Sequence, residues 1–586
     1  GMNVWFWLSL LPLLPLSLSK RVVTWPERCP QIGGSDSNIV MLVGSHSHQF
    51  SKNANMNACI YGNKPELCGG FVALESDYKT MWTWGAEGKG CTKKVSPTKV
   101  KKIVTTDSAF AVLSITGSVT MVWGNPEHGG AMPTPPPTGV VDIFANPYAF
   151  VALQADGGVV AWGDRKFGGF IPPERYALLT GGNYSVHTIV PSTFSFAALK
   201  SVNGSLLNST VVPWGYAEYG GDLILQDCNP HELDATNILC SNTTVVGLGM
   251  GIQRLVSNGY AYLAFKAHGE IISFGFREYG GNCDKKFTRT SNNPDDAIDR
   301  IVPSFANFVA ITKGGRAISC GYENWGWDNN GHAKDKVQKD VVDVVATDGA
   351  FAALMKDKTV VTWGKETGGG DSRQVKNRLK NIKKVVANML SFVALKEDGT
   401  VVTWGNKFAG GDVESPVQRC YVRYRRSMNG NVLVHIWVRL MVVTIEEIYA
   451  GSEAFVAIRK DQGMITWGDS QYGAGLCMSY FTEKNQKEAE FKDWEKVVDV
   501  VASYTGFAAL VEVDNTLKTV IESERRIALD NAKKKVVKVV QTKGDRSAGV
   551  KPKPAMKWVA VGVMAAAAAA GAGGGIVMGG LAAGVA

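Results

Sequence analysis

The sequence is low in charge and contains none of the common catalytic or metal-binding motifs. Only 20% of its 586 residues are charged. It lacks a G-x-S-x-G nucleophile elbow, a P-loop, an H-E-x-x-H motif and a Rossmann fingerprint after a strand. Its ten cysteines form no C-x-x-C pair and no Cys/His group with zinc spacing. We therefore expect a non-enzymatic protein with no cofactor and no metal ion.

The net charge excludes few classes of protein. The chain has 62 Lys and Arg residues against 53 Asp and Glu, a formal excess of +9 that is modest for this length. Nucleic-acid binding requires a basic excess that is clustered on one face. The excess suits an ordinary solvated surface with a basic tail, so we expect a protein partner rather than nucleic acid or a small-molecule substrate.

Glycine and tryptophan are the abundant residues. The chain has 65 Gly and 16 Trp, whereas its 22 Pro are unremarkable, so it is neither collagen-like nor a Pro/Gly low-complexity chain. A hydrophobic content of 45% also excludes general disorder. Glycine permits tight backbone, and Trp contributes a large ring that is usually buried. The combination points to a repeated structural device.

One sequence unit recurs along the chain, and its clearest copy is FVALKEDGTVVTWGNKFAGGD, from Phe392 to Asp412. Nine copies carry Gly directly after an anchor position and again six residues after it. An aromatic residue and three apolar residues stand upstream of each anchor, and a tenth copy beginning at Phe507 has lost the anchor. The anchors are Trp84, Trp123, Trp162, Trp214, Trp363, Trp404 and Trp467, with Phe274 and Cys320 in two degenerate copies.

Each unit is predicted to form three β-strands. A β-branched run precedes the aromatic residue, and two further runs flank a turn such as Asp398-Gly399, which is typical of a β-hairpin. One such unit cannot bury both of its faces, so neighbouring units must stack, as in propellers and solenoids. We expect the Trp anchors to be core residues between units and the glycines to allow close backbone approach.

The repeat tract, from about Val40 to about Ser523, resembles the regulator of chromosome condensation superfamily, whose blades carry an ALxxDGxVxxWG core. Its short period also looks like the compact blades of beta-lactamase inhibitory protein II. Two features depart from the family: Phe replaces the usual His before the apolar run, and Gly-Gly replaces GQLG after Trp-Gly. The resemblance implies an all-β propeller of about ten repeats of about 40 to 60 residues, forming 7 to 10 blades over residues 22–523. It also implies a binding role, or alternatively the regulation of a small GTPase or a chromatin-associated function.

Two insertions interrupt the repeats, at residues 222–250 and 412–445. The first contains Cys228 and Cys240, which could pair in an oxidising compartment. The second has two apolar runs around Met428-Asn429-Gly430-Asn431 and reads as an extra hairpin. Arg and aromatic residues are frequent interface anchors, so this hairpin is a candidate docking element. Its candidate binding residues are Arg419, Tyr421, Arg423, Tyr424, Arg425, Arg426, Trp437 and Arg439.

The two ends suggest membrane targeting. Residues 1–21 contain a 15-residue apolar run typical of a signal peptide, although a basic n-region is missing. A basic linker at 524–557 precedes 29 uncharged residues at 558–586, long enough to span a bilayer. There Gly571, Gly575 and Gly579 share one helical face that could pack against another helix. A low-complexity tail and a removed glycolipid-anchor signal are alternatives for this segment.

These features together predict a membrane-associated propeller that acts as a protein-binding scaffold or as a subunit of a membrane complex. A signal peptide places the propeller in the secretory pathway or an organelle. The lysines before residue 558 favour the cytoplasmic side instead, which a tail-anchored protein would satisfy. A secreted or glycolipid-anchored binding protein is a further alternative.

Overall fold

The computed structural model describes residues 18–25, 39–45, 70–84, 91–180, 184–202, 205–222, 251–267, 269–287, 293–323, 332–411, 444–460, 464–469, 495–503 and 506–514, together with four short strands between residues 422 and 438. Within these ranges the regular structure is almost entirely β. The predicted all-β class and its repeated three-stranded units are confirmed.

Ten antiparallel sheets follow one another along the chain, one for each copy of the repeat. Sheet 1 contains β2 (Ile39–Gly44), β3 (Phe71–Glu75), β4 (Thr80–Trp84) and β5 (Thr92–Val95); sheet 2 contains β6 (Val100–Thr105), β7 (Ala109–Ser114) and β8 (Val119–Gly124); sheet 3 contains β9 (Val140–Ala145), β10 (Ala149–Gln154) and β11 (Val159–Gly163). Sheet 4 contains β12 (Tyr184–Pro191), β13 (Ser195–Val202) and β14 (Ser205–Gly215); sheet 5 contains β15 (Ile252–Ser257), β16 (Ala261–Lys266) and β17 (Ile271–Gly275); sheet 6 contains β18 (Ile298–Pro303), β19 (Asn307–Thr312) and β20 (Ala317–Gly321).

The second half of the chain continues the series. Sheet 7 contains β21 (Val341–Ala346), β22 (Ala350–Met355) and β23 (Val360–Gly364); sheet 8 contains β24 (Ile382–Ala387), β25 (Ser391–Lys396) and β26 (Val401–Gly405); sheet 9 contains β31 (Ile445–Ala450), β32 (Ala454–Arg459) and β33 (Met464–Gly468). Sheet 10 joins β34 (Glu495–Ala502) and β35 (Phe507–Asp514) to β1 (Leu18–Trp25), in the order β1-β35-β34. The last sheet of the described chain therefore also contains the first described strand, β1.

The three strands of a sheet have distinct residue patterns with distinct causes. In sheet 3 the first strand, β9, alternates buried and more exposed residues, and a register shift lies at its start. The middle strand, β10, is buried along almost its whole length because sheets lie on both of its faces. Phe150 of β10 lies opposite Trp162 of β11, and their rings stack with centroids 5.2 Å apart. Aromatic and Trp-Gly positions of the repeat are thus cross-strand partners.

The hydrophobic core is divided into clusters that each join two consecutive sheets. One cluster packs Val151 of sheet 3 against Ile189 and Phe196 of sheet 4, and equivalent clusters follow at every junction from sheet 1 to sheet 10. A further cluster joins Leu510 of sheet 10 to Phe71 of sheet 1. The packing contacts therefore return to their starting point, which is the pattern of a β-propeller.

The first strands of adjacent sheets also contact one another, and those of sheets 1 to 6 line a cavity of about 490 Å³. The described lining residues are mostly aliphatic, with Lys102 as their one charged side chain. Ion pairs cross from sheet to sheet at the edge of this region, as between Lys102 Nζ and Asp142 Oδ1 at 2.6 Å. Because these two side chains are about one-third exposed, the ion pair helps to align the two strands but contributes little stability.

Few other elements interrupt the sheets. Three short helices lie in the described connections: α1 (Pro173–Thr180), α2 (Asp284–Phe287) and α3 (His332–Lys336). In the 412–445 insertion, β27 (Val422–Tyr424) pairs with β30 (Ile436–Val438), and β28 (Ser427–Met428) pairs with β29 (Val432–Leu433). The predicted extra hairpin is thus present in the backbone.

The chain divides into two units, and the ten sheets belong mainly to the unit formed by Lys20–Phe491 and Lys496–Glu512. The other unit comprises Gly1–Ser19, Lys492–Glu495 and Val513–Ala586, of which only residues 18–19, 495 and 513–514 are described. Among the described residues no helix is long and apolar enough to cross a membrane. The apolar segment at 4–18 (apart from its last residue), the linker at 524–557 and the predicted span at 558–586 lie outside the described residues.

Candidate functional site

Two sets of loops lie side by side at the same end of the sheets. One set connects the first and second strands, and the other follows the Trp-Gly at the end of the third strand. The chain leaving β11 donates a backbone hydrogen bond from Asp164 to Tyr148 in the first loop, and the same bond recurs from Tyr216 to Phe194 and from Phe276 to Tyr260. The same bond is present in sheets 2 to 9, so each of these sheets presents two adjacent loops at this end.

In sheets 3, 5 and 8 an Asn four positions before the aromatic residue holds the two loops together. In sheet 3 the Asn146 carboxamide accepts hydrogen bonds from the backbone N–H groups of Tyr148 and Ala149, and its Nδ2 donates to the carbonyl of Phe167. Asn258 and Asn388 make the same three contacts in sheets 5 and 8. This short side chain closes its own turn and binds the neighbouring loop.

In sheets 2, 3, 4, 5 and 7 the loop after the anchor is a single 3₁₀ turn closed by glycine. In sheet 3 the Asp164 side chain accepts from the Lys166 N–H, and Gly168 ends the turn with φ +101°. A Cβ on Gly168 would lie 2.5 Å from the Phe196 ring of the next sheet. The loop thus packs directly on its neighbour, and only glycine allows it to come so close.

These loops build a continuous aromatic surface, which we call the aromatic patch. It extends across sheets 3 to 6, and its rings touch in a network with neighbouring centroids 4.3 to 6.4 Å apart. Most of its members are partly exposed, and Tyr148 is the most buried at 8%. The patch consists of Tyr148, Phe167, Phe194, Tyr216, Tyr219, Tyr260, Phe276, Tyr279, Phe305 and Tyr322.

The chemistry of the patch is that of an interaction surface. Its six tyrosines combine apolar ring faces with phenol groups that can hydrogen-bond, a combination enriched at protein interfaces. Burial raises the pKa of Tyr219, and Tyr216 and Glu218 raise it further, so this phenol remains a neutral donor at physiological pH. Lys166 Nζ lies 4.7 Å from the Tyr216 centroid, which places a cation on a ring at the sheet 3 edge.

His128 of sheet 2 borders the patch. Its ring meets Tyr148 edge-on with centroids 5.3 Å apart, and its Nδ1 lies 2.7 Å from Ser108 Oγ. Burial lowers the pKa of His128, although Asp107 and Glu127 oppose that shift. The imidazole is therefore neutral at pH 7 and extends the apolar surface. Within the described ranges no group of three His, Cys, Asp or Glu residues could hold a metal ion.

The residues predicted as sites have different positions. The anchors are buried and stack on the aromatic residue of their own sheet, as in Phe392–Trp404 at 5.2 Å and Phe455–Trp467 at 5.5 Å. In the docking hairpin Arg423 pairs with Trp437 and Tyr424 with Ile436 in the backbone register. The other candidate docking residues and the helix glycines lie outside the described residues: Arg419, Tyr421, Arg425, Arg426, Arg439, Gly571, Gly575 and Gly579.

The degenerate anchor Cys320 has a partner that the sequence did not indicate. It forms a disulfide with Cys283, which follows the glycine turn of sheet 5. At other junctions between sheets the anchor makes the contact. For example, Trp162 Nε1 of sheet 3 donates a hydrogen bond to the Gly129 carbonyl of sheet 2 at 3.1 Å. The disulfide thus replaces a Trp contact between sheets. Each cysteine in the described ranges is disulfide-bonded, including Cys91.

Removing this disulfide should weaken the junction between sheets 5 and 6. We expect the double variant Cys283→Ala, Cys320→Ala to lose about 3 kcal/mol of unfolding free energy, because the bond closes a long loop and no ring takes its place. Urea titration of the variant and the oxidised wild type measures the difference. Equal urea midpoints would contradict this assignment.

The sequence could have identified part of the patch. Aromatic residues stand directly before the Gly-Gly in FREYGG and YAEYGG, but this position is Ala in NKFAGG, so the repeat alone does not mark it as a site. Phe194 and Tyr260, in the loops before the second strands, are each separated by one β-hairpin along the chain from Tyr219 and Tyr279 in the loops after the third strands. The hairpin returns the chain to the same end of the sheet, and hydrogen bonds between the loops hold these rings together.

The fold and this surface define the class of protein: a β-propeller repeat protein whose variable loops form an aromatic face. No protein-family model matches the chain, and no curated protein matches it significantly. Solved structures similar to the chain include Prp20p from Saccharomyces cerevisiae, with 14% identity, 68% of this chain and 92% of that one covered, and a TM-score of 0.29. The ectodomain of the receptor kinase CR4 from Physcomitrella patens is similar at 14% identity, covering 51% and 70% of the two chains with a TM-score of 0.28. At such values the fold assignment rests on the sheets and their packing.

Proposed function

We propose that this protein is a non-enzymatic scaffold that binds a partner protein through the aromatic patch. The observation that carries the proposal is the continuity of the patch: ten rings from four consecutive sheets form one surface. Equivalent loop positions of sheets 7 and 8 are occupied by Gly368, Asp348 and Ala409 instead. In a propeller the sheets form the scaffold and the loops recognise, so aromatic residues concentrated on one sector mark a binding surface.

We propose further that the ten sheets are the blades of a closed ring and that the protein is attached to a membrane. The cyclic series of core clusters and the strand that β1 adds to sheet 10 support ring closure. The Cys283–Cys320 disulfide supports an oxidising compartment such as the secretory pathway. Membrane attachment through 558–586 is part of the proposal, and alkaline extraction of membranes would test it.

Replacing two central rings of the patch should abolish partner binding without unfolding the protein. We expect Tyr219→Ala, Phe276→Ala to reduce partner recovery at least tenfold, because hot-spot aromatic residues typically contribute 2 kcal/mol or more to binding. Quantitative mass spectrometry of proteins that co-purify with the full chain measures the effect.

The matched control is Phe408→Ala in the equivalent loop of sheet 8, a ring that is 67% exposed and lies outside the patch. This variant should retain every partner. If both variants recover the same proteins as the wild type, the patch is not the binding surface. Loss on deletion of residues 412–445 instead would assign binding to the docking hairpin.

A further inference from the structure

Exposed glutamates recur in the loops that carry or border the aromatic patch. They occupy the third or fourth position after the anchor in five of the described loops, and all five are exposed. None of them forms an ion pair within 4 Å among the described residues. These residues are Glu127, Glu218, Glu278, Glu323 and Glu366, one from each of sheets 2, 4, 5, 6 and 7.

The local charge is opposite in sign to that of the whole chain. In the two loop sets of sheets 2 to 7 the described acidic residues outnumber the basic ones by eight to four. The chain as a whole carries a net charge of +9. The acidic residues are Asp107, Glu127, Asp164, Glu218, Glu278, Glu323, Asp348 and Glu366, and the basic ones are Arg165, Lys166, Arg277 and Lys365. Of these acidic residues, the five exposed glutamates border an apolar surface and favour a cationic ligand.

The arrangement of the rings limits how such a ligand can bind. The centroids of Tyr219, Tyr260 and Tyr279 are separated by 4.8 to 4.9 Å along the network, so these rings pack directly on each other. No space remains between them for an enclosed ammonium group. A cation must therefore lie across the exposed ring faces, as Lys166 does over Tyr216 at the edge of the patch. A planar guanidinium stacks on such faces better than a compact ammonium group.

We propose that the aromatic patch, with its surrounding glutamates, binds an extended arginine-rich segment of a protein partner. This inference rests on the proposed function and assigns its chemistry: guanidinium groups stack on the tyrosine faces while the glutamates of sheets 4 to 6 bind them at the rim. Successive sheets repeat the same loop, so the site repeats ring and carboxylate from one sheet to the next. An extended segment with Arg at alternate positions can follow that repetition.

Fluorescence anisotropy with the purified full chain tests the proposal. The probes are labelled peptides of four repeats, Gly-Arg, Gly-Lys and Gly-Glu, and a peptide of eight prolines. We expect the Gly-Arg peptide to bind at least threefold more tightly than the equally charged Gly-Lys peptide, and the Gly-Glu and proline peptides not to bind. Equal affinity for the two cationic peptides, or preference for either of the others, would overturn the proposal.

Two variants assign the binding to this surface. Glu218→Gln, Glu278→Gln, Glu323→Gln should weaken Gly-Arg binding about tenfold and reduce its dependence on salt. Glu397→Gln, an exposed carboxylate paired with Lys358 in the hairpin turns of sheets 7 and 8, is the control and should have no effect. Equal losses in the two variants would mean nonspecific charge attraction and would overturn the proposal.

The outcomes separate this inference from the proposed function. If partner recovery depends on Tyr219 and Phe276 but the triple glutamine variant and the peptide series show no cationic preference, the patch binds proteins of another chemistry. The proposed function then stands, and this inference fails. If neither the aromatic nor the glutamine variant changes any binding, both fail.

Discussion

Replacing Trp214 by Ala is expected to destabilise the protein by about 4 kcal/mol, the middle of the range for truncating a large buried ring. Trp214 is 1% exposed and belongs to the core cluster shared by sheets 3 and 4. Its ring stacks on Phe196 with centroids 5.6 Å apart, and its Nε1 donates to the Gly168 carbonyl at 3.0 Å. The substitution removes packing on both sheets and the hydrogen bond between them. The drop in urea midpoint, multiplied by the common m-value, gives the loss.

Two further variants identify the source of that loss. Trp214→Phe keeps a stacked ring but removes the indole N–H, so it should lose less than half as much stability as the Ala variant. Tyr176→Ala, in α1, removes an aromatic ring that is 48% exposed and should change stability by less than about 1 kcal/mol. A Trp214→Ala protein as stable as Tyr176→Ala would show that the anchors do not hold the sheets together.

The sequence predicted the repeated fold because the repeat encodes contacts that are local or between neighbours. Phe150 and Trp162 are partners across one hairpin, so their spacing is fixed by the length of two short strands. The second glycine, Gly168, contacts Phe196 in the next unit, so a fixed position in the repeat implies a fixed place in the packing. Such contacts recur at every junction and leave a period in the sequence.

The candidate site could not be predicted in the same way, because the repeat does not specify it. Tyr148, Phe194 and Tyr260 occupy loop positions where other sheets have Ser108, Gly349 or Leu390. No period marks such residues, and their significance arises only when consecutive sheets place them side by side. The docking hairpin attracted attention because it departs from the repeat, whereas the aromatic patch lies within it.

The Cys283–Cys320 disulfide also could not be predicted from the repeat, although Cys320 occupies a repeat position. The repeat identifies Cys320 as an anchor that is not Trp, which suggests a weakened unit. The structure shows a bond that performs the anchor's role of joining two sheets. Cys283 lies three residues after the glycine of its turn, a position that the repeat does not constrain. Its pairing therefore depends on the packing of sheet 5 against sheet 6.

The glycine turns provide the sharpest test of how the sheets are held together. Replacing Gly168 by Ala is expected to cost about 4 kcal/mol, from two independent causes. Gly168 has φ +101°, a left-handed backbone conformation that costs an L-residue about 1 to 2 kcal/mol. The added Cβ would also lie 2.5 Å and 2.9 Å from two carbons of the Phe196 ring, which is completely buried and cannot move aside. Overpacking of this kind adds about 1 to 3 kcal/mol.

Gly139 separates these two causes, because it has a positive φ of +64° but nothing within 4 Å of the position of its Cβ. Gly139→Ala should therefore cost only the backbone part, about 1 kcal/mol. The difference between the two variants in urea titration measures the contact between the sheet 3 loop and the sheet 4 ring. In the background of Phe196→Leu, which removes the ring edge, Gly168→Ala should cost little more than Gly139→Ala. If Gly168→Ala costs the same with and without that ring, the glycine is needed for its backbone conformation alone, and the spacing between sheets is set elsewhere.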